Sequence, residues 1–127
     1  MRRSAVFGLV LLLGACAGPR QTTEFLPIIH VCEVKIDFGS YAMGVDQDLK
    51  ASILRTLNGD PDVAGWNERP WGREGESSVC VWTQNSGAAD RLYDRIAAMI
   101  PAHSDRAPIS VEHIDGRRKE ATLPHAP

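Results

Sequence analysis

The residues in this chain whose types could do chemistry are few, and cysteine and histidine lead them, with three and four copies. Cys32 and Cys80 lie 48 residues apart. In an oxidising compartment they can form a disulfide, which would stabilise the fold by about 4 kcal/mol through the unfolded state. Two buried thiols acting as small apolar groups, or a thiol-redox pair, remain open beside that reading. Alternation along residues 28–38 puts His30 and Cys32 on one side of a strand. Pairing Val34 with Ile109 would set Cys32 against Val111 and His30 against His113. A His30, Cys32 and His113 cluster of this kind could hold a soft transition metal. The competing expectation is two partly exposed histidines at the end of a sheet, with no metal and no cofactor. Other chemistry finds little support. Ser77-Ser78 lacks the glycine-flanked elbow of a nucleophile, and Gly72-Arg73-Glu74-Gly75 lacks the lysine and following helix of a phosphate loop. Asp37 and Glu112 fall on a solvated face. The expectation is a protein that is not an enzyme. Trp66 and Trp71, near Arg69 and Arg73, could form a partner-contact patch; alternatively one or both tryptophans tuck into the core.

The elements that must position these residues follow from apolar periodicity. Residues 28–38 alternate Ile28, His30, Cys32, Val34, Ile36 and Phe38 against Glu33, Lys35 and Asp37, as in a strand buried on one side. Asp46 can cap a helix whose stripe is Leu49, Ile53, Leu54 and Leu57, with Asn58-Gly59 and Pro61 as its stop. Residues 63–71 read as a poorer strand, confined to a sheet edge by Pro70. A turn at residues 72–75 leads to a stronger strand at 78–84. Ser86 can cap a second helix with the stripe Ala89, Leu92, Tyr93, Ile96, Met99 and Ile100, ended by Pro101. A last strand covers residues 109–114, Asp115-Gly116 is a hairpin turn signal, and residues 117–123 could return as a short extra strand.

Strand, helix, strand, strand, helix, strand resembles the ferredoxin-like βαββαβ unit. The resemblance implies an α+β domain with a four-stranded antiparallel sheet and two helices on one face. Its strand order would be fourth, first, third, second, with the first and third strands expected as parallel neighbours. Bridging Cys32 and Cys80 across such a pair would strain disulfide geometry.

The beginning of the chain has different physics. Arg2 and Arg3 precede an apolar run over residues 5–13 that is too short to cross about 30 Å of hydrocarbon. Such a run suits the apolar region of a signal peptide. Leu13-Gly14-Ala15-Cys16 then resembles a lipobox, and the chain is similar here to bacterial lipoprotein precursors. That resemblance implies cleavage before Cys16, a thioether-linked diacylglycerol and further acylation such as palmitate on Cys16, and attachment to a membrane through lipid. Two or more chains hold firmly where one binds reversibly. Ala17 rather than aspartate after the cysteine resembles the class sorted to the outer membrane, facing the periplasm. The expected organisation is signal peptide 1–15, lipidated tether 16–27, domain 28–123 and a frayed tail 124–127.

The 127-residue chain carries a net charge of −2, and losing Arg2 and Arg3 makes the mature chain more acidic by both charges. Arg117-Arg118-Lys119 is its basic cluster, better suited to solvating a turn than to binding phosphate, so nucleic acid is excluded as a partner. The leading expectation is a non-catalytic envelope lipoprotein that binds another envelope protein or supports an assembly. The alternative is a peptidoglycan-binding module. Ile36-Asp37-Phe38-Gly39-Ser40 resembles the start of an OmpA-like domain, and residues 63–68 stand where that family has a Gly-His-Thr-Asp segment. Here Trp66 and Glu68 replace its histidine and aspartate, so no binding residue carries over.

Overall fold

A computed structural model describes residues 29–124 of the chain. Cys16, the residues before it that resemble a lipobox, the expected signal peptide and tether, Ile28 and residues 125–127 of the expected tail lie outside the described residues. The elements run β1 (Val34–Phe38), α1 (Gln47–Gly59), β2 (Val63–Pro70), β3 (Ser77–Thr83), α2 (Ser86–Met99), β4 (Ile109–His113) and β5 (Arg118–Glu120). The architecture is α+β, with two helices and one antiparallel sheet. That sheet has five strands rather than four, in the order β2-β3-β1-β4-β5. The fifth arises because Gly116, at φ +96°, lets the chain turn back tightly after β4. Arg118 to Glu120 then pair with Glu112 to Ser110.

The core lies between the sheet and the helices. Val34, Ile36 and Phe38 of β1, Val79 and Val81 of β3, and Ile109 and Val111 of β4 are buried in one cluster. Ile53 and Leu57 of α1 and Leu92, Tyr93 and Ile96 of α2 join the same cluster, so both helices cover one face. Helix starts are satisfied by side chains. The Asp46 carboxylate accepts from the Leu49 N–H at 3.1 Å. Asn85, not Ser86, caps α2, its side-chain oxygen accepting from the Ala88 N–H at 2.9 Å. Ser86 is instead the first residue of the helix.

Three expectations about pairing are corrected. β1 and β3 are neighbours but run antiparallel. Two crossovers, one through each helix, leave β1 flanked on both sides by strands of opposite direction. Val34 faces His113 rather than Ile109, and Phe38 faces Ile109. Either register keeps the same apolar faces together, so hydrophobic alternation does not choose between them. The regular strand also begins only at Val34. Before it, the alternation breaks: the Glu33 carboxylate reaches the Thr83 N–H at 2.6 Å and the Thr83 hydroxyl at 2.8 Å. Cys32 is thereby displaced from the side of Val34 to the open side of the sheet.

Candidate functional site: the open sheet face

The face of the sheet away from the helices carries the alternate side chains of the same strands. Lys35 and Asp37 of β1 form an ion pair at 3.0 Å, and Ser78 of β3 donates to the Asp37 carboxylate. Cys80 sits opposite Lys35 in the β1–β3 register. It is joined to Cys32 in a disulfide with Cα atoms 5.2 Å apart. The bond therefore ties the segment leading into β1 across to the centre of β3. Trp82, two residues on, lies over the backbone of β2 at Gly65; a Cβ there would come within 2.5 Å of its ring. The absent side chain makes the approach possible. On the Trp82 ring stacks His30, with centroids 4.3 Å apart and planes only 4° from parallel.

Beside the disulfide, Lys35, Asn67, Arg69, Pro70 and Trp71 line an open cleft with Ser78 and Cys80. Trp71, just past the end of edge strand β2, is 58 % exposed. Ile114, also largely exposed, borders a neighbouring cleft lined by Cys32, Lys35 and Glu112.

The contact patch read from the sequence is thus divided. Arg69 and Trp71 reach the open face, and Arg73 is exposed in the turn that follows. Trp66 takes the other side. It pairs with Val81, packs against the core, and donates its indole N–H to the Asn58 side chain at 3.2 Å. The five-residue spacing of the tryptophans already implies opposite faces in a regular strand, but Trp71 lies beyond the strand's last residue.

The His30, Cys32 and His113 cluster is not assembled. His30 is committed to Trp82 and Cys32 to Cys80, both on the open side, whereas His113 projects to the helix side. His113 is also buried, only 6 % exposed, rather than a partly exposed end residue. Its ring meets Tyr93 edge-on at 5.8 Å.

Around His113 the structure gathers charges that periodicity missed. Asp115 places its backbone N–H 3.1 Å and its carboxylate 2.9 Å from Nδ1. Asp90 of α2 stands 3.6 Å from Nε2. Arg117 ties the two carboxylates together: Nη2 donates to Asp90 and Nε donates to Asp115 at 2.8 Å. Its guanidinium also lies 5.1 Å from the centre of the Tyr93 ring. Backbone and side-chain donation from Arg117, with the His113 contact, hold the Asp115 carboxyl below its ordinary range. The three basic residues do not form a free cluster, since Arg118 pairs with Glu112 at 3.1 Å and Glu120 at 3.2 Å.

A second ion-pair group clamps α2 to the α1–β2 loop. Asp62 accepts from Arg91 Nε at 3.0 Å and from Arg95 Nη2 at 2.8 Å, and Arg95 also bonds Asp60 at 2.8 Å. Hydrogen bonds from Arg91 and then Arg95 pull the Asp62 pKa down from 3.8 to about 2.

No family model, no curated protein and no solved structure matches this chain. Among the described residues, no helix is long and apolar enough to cross a membrane.

Proposed function

We propose that this chain is an envelope lipoprotein, acylated on Cys16 and probing its surroundings with a non-catalytic binding domain. The domain is a ferredoxin-like βαββαβ unit extended by β5; the supporting observation is that β4, β1, β3 and β2 follow one another across the sheet with both helices on one side. Membrane attachment rests on the resemblance of residues 13–16 to a lipobox, and outer-membrane sorting on Ala17. The Cys32–Cys80 disulfide supports export, because such bonds persist in oxidising compartments.

The observation that carries the binding role is the exposed Trp71 beside a cleft lined by Lys35, Asn67 and Arg69. A large apolar ring among polar and basic groups is the usual composition of a protein-contact anchor with its rim. Strand β2 adds an outer sheet edge whose backbone groups can pair with a partner's strand. The partner is another envelope protein.

Two measurements test the two halves. Mass spectrometry of the mature protein should find a diacylated Cys16 at the N-terminus, and Cys16→Ser should leave an uncleaved or mislocalised precursor. An unmodified N-terminal Ala17, or cleavage elsewhere, overturns the lipid anchor. A photo-crosslinker at Trp71 in intact membranes should trap one protein partner, and Trp71→Ala should lower its recovery with stability changed by less than about 0.5 kcal/mol. Co-sedimentation with cell-wall sacculi, with nothing trapped at Trp71, would favour the peptidoglycan-binding alternative instead.

A further inference from the structure

The corner between α2 and the β4–β5 turn has a different character from the open face. His113 Nε2 is a buried side-chain nitrogen with no hydrogen-bond partner, alone in that respect among the described residues. Leaving a buried polar atom unpaired costs about 1–3 kcal/mol, so each instance calls for a physical reason. The ring is held from both sides. Tyr93 packs against it edge-on, and the Asp115 backbone and carboxylate engage Nδ1. Nε2 is therefore the nitrogen left over, and it points at Asp90. Ligand atoms from Asp90, His113 and Asp115 all lie within 4.8 Å of one another.

We propose that Asp90, His113 and Asp115 form a binding site for a divalent transition-metal ion, with Arg117 as the cation that occupies the carboxylates in its absence. One imidazole nitrogen and two carboxylates form a mixed set suited to zinc and its neighbours. Magnesium and calcium prefer oxygen alone. Ligands about 2.0–2.2 Å from a shared tetrahedral ion stand about 3.4 Å apart. The three ligand atoms, now within 4.8 Å of one another, must close by up to about 1.4 Å to reach that spacing, and both carboxylates are exposed enough to move.

An ion on Nε2 requires the ring proton on Nδ1. Without the ion, the Asp115 backbone N–H donates to Nδ1 at 3.1 Å, which puts the proton on Nε2, facing Asp90. Ion binding therefore moves the ring proton to Nδ1 and breaks that backbone bond. One carboxylate cannot hold Nδ1 and reach an ion on Nε2 at once, so the exposed Asp115 side chain must swing away from Nδ1 and Arg117 to the ion. Arg117 itself is partly exposed and can turn its guanidinium to solvent. Two carboxylates facing each other need a positive charge, and the arginine and the ion compete for that role.

The test uses the mature protein as purified from its own cells in detergent micelles, titrated with zinc chloride by calorimetry. One saturable equivalent should bind, with magnesium chloride giving no heat of binding. Asp90→Asn and Asp115→Asn, both at exposed positions, should each weaken zinc binding at least about tenfold. His113→Gln should abolish it. Arg117→Gln, which removes the competing cation, should tighten it. Cobalt(II) should give a d–d absorption band that disappears in Asp90→Asn. Absence of saturable zinc binding overturns the site, and so does wild-type affinity in Asp90→Asn, which would place the ion on exposed His30 or His103. An unchanged affinity in Arg117→Gln overturns the role given to that arginine.

Discussion

On the helix-covered face of the sheet, Val34, Ile36, Val79, Val81 and Val111 meet Ile53, Leu92 and Ile96, and all of them are excluded from solvent. On the opposite face the same strands present Lys35, Asp37, Ser78, Cys80 and Trp82, with a disulfide and a His30–Trp82 stack in place of a second layer. One side is held by packing, closed at its rim by the Asp62–Arg91–Arg95 ion pairs. The other is held by one covalent bond and remains open. A small α+β domain can thus gain its stability from one face and leave the other free for contact.

The largest effect that could break this contrast should come from the packed side. Ile96→Ala empties a fully buried position and should cost about 2–5 kcal/mol in urea unfolding. A loss within about 0.5 kcal/mol, as at ordinary surface sites, would mean that α2 does not seal the core as described.

Next comes the bond on the open face. Replacing Cys32 and Cys80 together by alanine should lower stability by about 2–4 kcal/mol, chiefly by freeing the unfolded chain. The helix layer should keep its near-UV signature in the folded double variant, since neither sulfur belongs to the core cluster. Its loss would show that the two faces are not independent.

Acid should give the smallest and most selective effect. Asp62 has a folded pKa of about 2, below its ordinary 3.8. Its stabilising contribution is fully present above the unfolded value and is lost as pH falls through the folded one. Urea midpoints measured between about pH 4 and about pH 2 should therefore decline. Asp62→Asn should remove its part of that slope, and the disulfide's contribution should not change over the same range. An unaltered slope in Asp62→Asn would remove this clamp from the account.

The elements themselves were legible in the residues. Period-two alternation at Val34, Ile36 and Phe38 and the helical stripes ending at Leu57 and Ile100 predicted the right types in the right order, and Pro70 correctly placed its strand at an edge. The candidate sites were far less legible. A register with Val34 opposite Ile109 satisfies burial as well as the true one opposite His113, and the false register is what grouped His30, Cys32 and His113. Ser86 and Asn85 are both good caps by residue type, and backbone conformation selected Asn85.

By itself, then, the sequence determined which side chains must leave water, because periodicity and apolar character are local properties. It also carries, at residues 13–16, a local pattern that resembles a lipobox. The tertiary structure alone decided which distant residues meet. The break in alternation at Glu33 sends Cys32 to Cys80, and the turn at Gly116 brings Asp115 and Arg117 to Asp90 and His113. Such meetings depend on register and on single backbone angles, which apolar patterning leaves degenerate because it constrains faces and not partners.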